Sequence, residues 1–276
     1  MPSSPPANIF VSCEDEMPRL HGVHNFACTV TAVLILLVPL RICQQVLMCS
    51  DKQPVVVAEK LAYAASLVLL FWGNLVEHAV AYVGPPSLDA CGAIFHLALF
   101  AMTYRGLWLQ SKRRHNKEFA PRLALRLLPS SQFMSRVSLI LAILLLGTGA
   151  LVSARAESLL VQCLSPVYAA VNIALLGYLS WHQKRQSCSN EPTPWFWFCS
   201  SFLCFGVVQI SVEWEKGACH ILAQQDVWRI IDGRRLYHAA YLHTVIPTLF
   251  WAASKCAFGV LKEEKNGGKQ KKKKIP

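Results

Sequence analysis

Phe71-Trp-Gly-Asn-Leu-Val-Glu-His-Ala-Val-Ala-Tyr-Val-Gly-Pro-Pro-Ser-Leu-Asp89 sets Asn74, Glu77 and His78 inside an apolar run and Asp89 just after a Gly-Pro-Pro break. The meaning of the stretch turns on whether that run crosses a membrane. Ionisable groups in hydrocarbon are expensive; they face a cavity or a partner and are functional candidates by default. The rest of the chain decides the matter.

Of the 276 residues, 54% are hydrophobic and only 16% charged. Soluble domains carry about 25% charged residues, so the deficit marks an all-α, polytopic membrane protein. The formal net charge of +11 does not indicate a nucleic-acid partner. Its basic residues gather at Lys112 to Arg136, at Lys184 and Arg185, and in the tail from Lys262 to Lys274. Those positions separate apolar runs, which is the distribution of cytoplasmic loops. Of the eleven cysteines, Cys28, Cys43, Cys163, Cys199, Cys204 and Cys256 lie in apolar runs and read as small hydrophobes. Cys13, Cys91 and Cys219 fall on the side away from the basic loops, and sequence leaves a Cys91–Cys219 bridge open.

Seven apolar runs follow from the pattern: about Asn25–Met48, Val57–Val83, Leu88–Leu109, Val137–Ala154, Leu159–Trp181, Trp195–Trp214 and Leu236–Val260. Each approaches the roughly 20 residues needed to cross a bilayer as helix. Pro39 should kink the first, and Pro166 and Asn172 lie within the fifth. Ser111 to Lys117, Arg155 to Glu157, His182 to Thr193 and Glu215 to Arg235 read as connections. Phe119 to Phe133 reads equally as a surface amphipathic helix or a solvated linker. Trp195-Phe-Trp-Phe198 reads as an interfacial anchor or as aromatic core. The expected division is a lumenal tail over 1–24, a membrane domain over 25–260 and a basic tail over 261–276. Residues 1–20 lack the basic start and early apolar core of a signal peptide.

Alternate crossings put every basic loop and the tail on one side, so the N-terminus is expected to be lumenal or outside and the C-terminus cytosolic. The tail ends Lys271-Lys-Lys-Lys-Ile-Pro276. Lys273 and Lys274, fourth and third from the end, resemble a dilysine retrieval signal read by coat proteins. That places the protein in the endoplasmic reticulum. The competing reading is a polybasic segment drawn to anionic lipid, worth about 1 kcal/mol per residue near the surface.

With that topology Asn74, Glu77 and His78 lie at the lumenal end of the second helix, and Asp89 opens the third. Glu213 falls at the same end of the sixth, and Asp232, Arg234 and His238 surround the start of the seventh. His96 lies about two turns deeper. Asn74 and His78 are four apart, as are Arg234 and His238, so each pair shares a helix face. Such a set suits either zinc, which in catalytic sites takes three protein ligands and a water, or a buried polar network that fixes helix packing.

The spacing of a small polar residue, three residues, His, ten residues and Asp, with a His-x-x-x-His-like site opening the last helix, resembles a known superfamily. It is the seven-helix hydrolase-like group of alkaline ceramidases, Per1-type remodelling proteins and adiponectin/progestin receptors. Asn74, His78 and Asp89 stand at those spacings, and Asp232-Gly-Arg-Arg-Leu-Tyr-His238 resembles the Per1-type stretch Asp-Ala-His-Ala-Leu-Trp-His. Trp228 and Tyr237-His238 also look like the C-terminal part of the transmembrane protein 187 family. The resemblance implies His78 and His238 as zinc ligands, Asp89 as the acidic partner and a membrane-lipid substrate. Two positions depart from it: Arg234 stands at the third ligand and Asn74 at the serine. A guanidinium stays protonated and cannot ligate a metal. The leading expectation is therefore a ceramidase-like scaffold with a degenerate metal site that binds a lipid or a partner without catalysis. The alternative is a zinc-dependent lipid amidase or esterase with an altered ligand set. Lys255-Cys-Ala-Phe-Gly259 resembles a retinal attachment site, but Trp251 stands where a counter-ion would be needed.

Overall fold

Hydrocarbon offers no partner to a bare backbone N–H or C=O, so a chain this apolar must satisfy those groups within helices. The computed structural model describes residues 29, 32–48, 54–80, 88–115, 129–151, 154–184, 192–224 and 233–261, and no strand occurs among them. Seven helices follow one another: α1 (Val33–Met48), α2 (Pro54–Val80), α3 (Leu88–His115), α4 (Ser131–Leu151), α5 (Ala154–Lys184), α6 (Pro194–Gln224) and α7 (Gly233–Leu261). The first turn of α1, Val33–Leu36, is a 3-10 helix. Pro39 follows it and lacks the N–H that an α-helical turn would direct back to Ile35. Pro166 and Pro247 are contained within α5 and α7, which continue through them.

Four of these helices are long and apolar enough to cross a membrane: Pro54–Val76, Ala90–Ser111, Cys163–Lys184 and Pro194–Ser211. The outward faces of α2, α5 and α6 carry large apolar side chains, among them Trp72, Val167, Phe202, Leu203 and Ile210, and α4 adds Leu139, Ile140, Ile143 and Leu144. Apolar surface on this scale is a liability in water and ordinary against lipid. The fold is that of an integral membrane protein.

α3 is the axis of the bundle. It packs against α2, α4, α5 and α7, while α6 lies chiefly on α7 and α1 on α2. Antiparallel α2 and α3 meet through Tyr63 and Phe95, whose ring centroids are 5.4 Å apart. Phe95 also meets Phe250 at 5.1 Å, and Gly106 lies against Val260, so α3 and α7 run in parallel. Without a hydrophobic drive between helices in lipid, close approach at small residues supplies the packing. A Cβ on Gly106 would sit 3.2 Å from Leu179 and 3.3 Å from Val260, and one on Gly259 only 2.8 Å from Pro194. Those two glycines let α3, α5, α6 and α7 draw together at one end.

Several helices exceed their apolar runs. Ser111–His115 extends α3, Arg155–Glu157 belongs to the first turns of α5, and His182–Lys184 completes its last. The expected connection from Glu215 is helical as far as Gln224. α4 begins at Ser131 because Ser130 caps it, its Oγ accepting from the Phe133 N–H at 3.2 Å. Residues 119–128, of the segment read as amphipathic helix or linker, lie outside the described residues. The aromatic opening of α6 divides its duties. Trp195 packs on Trp181 with the Lys184 ammonium near both rings, while Trp197 and Phe198 pack against the core.

Candidate functional site

Asn74 is the best-defined member of the expected cluster. α2 carries it 8% exposed, and its Oδ1 has no hydrogen-bond partner among the described residues. Continuing the register in which Glu59 meets Arg105, Asn74 falls opposite the first turn of α3. Leaving a buried acceptor unmet costs its full desolvation. His78, one turn on, is half-buried. Asp89 belongs to the first turn of α3, Glu77 to α2, Glu213 to α6, and Arg234 with His238 to the first two turns of α7. The side chains of those five lie outside the described part, as do all of Asp232, Lys273 and Lys274. Cys91 is buried in α3, and the side chain of Cys219 is likewise outside the described part.

His96 stands deeper, as its spacing from Asp89 predicts. Its backbone carbonyl accepts from Asn172 Nδ2 at 2.9 Å, and Thr103 Oγ1 donates to Asn172 Oδ1 at 3.3 Å. Asn172 and Thr103 are fully enclosed. This ties α3 to α5 in mid-bundle and leaves His96 Nδ1 buried without a partner among the described residues.

A second polar centre was not singled out from the sequence. Glu59 of α2 and Arg105 of α3 form a salt bridge with side chains 8% and 9% exposed. Ser135 Oγ of α4 donates to the other Glu59 oxygen at 3.0 Å. Arg105 Nη2 is buried with no acceptor among the described residues. The readable signal was a carboxylate, Glu59, near the start of the second apolar run and a guanidinium, Arg105, near the end of the third. In hydrocarbon such charges are expected to find each other.

The zinc site that the resemblance implies would need three histidines, and two of the positions it points to hold other residues. Asn74 supplies an amide, and at the third ligand position Arg234 supplies a cation. Among the described residues no group of three His, Cys, Asp or Glu side chains could hold a metal. No protein-family model matches the chain, and no curated protein or solved structure matches it.

Proposed function

We propose that the chain crosses the membrane seven times, with a lumenal N-terminus and cytosolic C-terminus, and resides in the endoplasmic reticulum. On a ceramidase-like scaffold with a degenerate metal site, it binds a membrane lipid at its lumenal end without hydrolysing it. Support for seven crossings comes from the seven apolar runs of the sequence. Four helices are long and apolar enough to span, while Val33–Met48, Ser131–Gly147 and Val245–Leu261 are shorter apolar helices, the last two within helices of 21 and 29 residues. The basic residues between α3 and α4, between α5 and α6 and after α7 support the orientation.

The observation that carries the lipid reading is the Oδ1 of buried Asn74, which meets no donor among the described residues. An acceptor at the end of a membrane helix calls for a donor. Lipids with amide N–H or free hydroxyl groups, such as ceramides and diacylglycerols, present one at that depth. Arg234 favours binding over chemistry because it brings a fixed positive charge where a zinc ligand would be needed.

Lipid extracted from protein purified in mild detergent should be enriched in N–H- or O–H-bearing species, and Asn74→Leu should lose that enrichment. An identical lipid profile for the two proteins would remove the role given to Asn74. Metal analysis addresses catalysis. Less than one zinc per chain and no hydrolysis of ceramides or phospholipid esters are expected. One tightly held zinc, lost with activity in His78→Ala or His238→Ala, would establish the amidase or esterase instead.

For residence, changing Lys273 and Lys274 together to Ser should move the protein out of the endoplasmic reticulum, read by fluorescence co-localisation. An unchanged distribution would leave the tail as a lipid-directed polybasic segment.

A further inference from the structure

A groove runs between α1 and α7, separate from both polar centres. Leu37, Val38 and Arg41 line one wall and Pro247, Thr248 and Trp251 the other, around about 380 Å³. The two helices are parallel: α1 packs on α2 after a connection of a few residues, hence antiparallel to it, and α2 is antiparallel to α3, which parallels α7. Along both, therefore, the groove has a direction. Leu37, Val38 and Pro247 make an apolar end. Arg41 and Trp251 lie one turn further on, toward Met48 and Leu261. Beyond Trp251, Lys255 holds its ammonium 4.5 Å from the Trp251 ring centroid.

Arg41 is the feature that needs explaining. Its side chain is exposed on the outer surface of the bundle, and its Nη1 donates to the neutral Gln44 side chain. No carboxylate meets it among the described residues. A charge within a membrane segment is costly unless it pairs or reaches the headgroups. The guanidinium presents paired donors suited to phosphate oxygens, and basic pockets between membrane helices are a recurring means of holding acidic headgroups.

We propose that this groove is a binding site for an anionic phospholipid. The phosphate takes the Arg41 guanidinium with Lys255 close by, and one acyl chain descends along Leu37, Val38 and Pro247. The site does not depend on the lumenal reading above. That α1 lies in the membrane rests on the proposed seven crossings, and the site's assignment to the cytosolic leaflet, the anionic one, on the proposed orientation.

The test uses the full chain in nanodiscs of phosphatidylcholine alone or mixed with phosphatidylserine, with retained lipid counted by native mass spectrometry. Wild-type protein should keep phosphatidylserine in preference to phosphatidylcholine. Arg41→Gln should lower that retention about fivefold, the effect of one basic residue near an anionic surface. Leu37→Trp should lower it by filling the groove, and Arg41→Lys should keep most of it. Leu139→Ala, on the exposed face of α4 and outside both sites, should leave it unchanged. Equal retention of the two lipids, or of phosphatidylserine by wild type and Arg41→Gln, would overturn the proposal. So would an equal loss of thermal stability by Arg41→Gln in both nanodiscs, since Arg41 would then be holding α1 rather than a headgroup.

Discussion

Arg105→Ala is expected to cost about 3–5 kcal/mol of stability, the range for removing one partner of a buried ion pair. The reason lies less in the lost attraction than in what remains. Glu59, 8% exposed, would be left with the Ser135 hydroxyl as its donor among the described residues. An unpaired carboxylate is costly in a bundle interior next to hydrocarbon. Glu59→Gln should cost less than Arg105→Ala, because the amide oxygen can still accept from Arg105 while the amide N–H donates to the Ser135 hydroxyl. The informative variant is the double change Glu59→Leu with Arg105→Met. Replacing a whole buried pair by apolar side chains of similar volume is often neutral or stabilising, so it should recover most of the loss. Unfolding in a detergent of fixed composition, followed by circular dichroism, would read all three. A double variant no more stable than Arg105→Ala would show that the pair does more than neutralise itself.

That pair also shows where sequence reading stops. The helices themselves were legible because hydrocarbon thickness writes itself as runs of about 20 apolar residues; each of the seven runs contains a helix, and four of those helices are long and apolar enough to cross a membrane. Their ends were not, since apolar composition reports the depth of lipid rather than the point where backbone hydrogen bonding ceases. α6 continues through Glu215 and Lys216 to Gln224 because polar residues outside the hydrocarbon are acceptable in a helix. The start of α4 was written in Ser130, a capping residue directly after Pro129, but the apolar run began later and drew the boundary to Val137. Among the candidate residues, Asn74 is legible through its company in one stretch, and it is buried. Glu59 and Arg105 were passed over because 46 positions separate them. Only the register of α2 on α3 makes them neighbours. The Arg41 groove is still less visible, being formed by helices from opposite ends of the chain.

The second large effect is expected at Tyr63, where truncation to Ala should cost about 3–5 kcal/mol, as for other large aromatic core residues. Tyr63 is fully buried and contacts two other helices at once. Its ring lies 5.4 Å from Phe95 of α3 and 6.1 Å from Phe258 of α7, and its hydroxyl donates to the Phe250 carbonyl at 3.4 Å. These contributions separate by substitution. Tyr63→Phe deletes only a long hydrogen bond and should cost about 0.6 kcal/mol, the average for such bonds between membrane helices. Tyr63→Ala also opens a cavity among Leu67, Phe95, Met102 and Cys256, members of the same buried cluster. A bilayer refills a gap on the outer surface with acyl chain but has no route to one enclosed by α2, α3 and α7. The difference between the two variants, measured by thermal unfolding in one detergent, should therefore be several-fold. If Tyr63→Ala proved no worse than Tyr63→Phe, the ring would not be the key that joins α2 to the α3–α7 pair. The parallel placement of those two helices would then have to rest on the close approach at Gly106 instead.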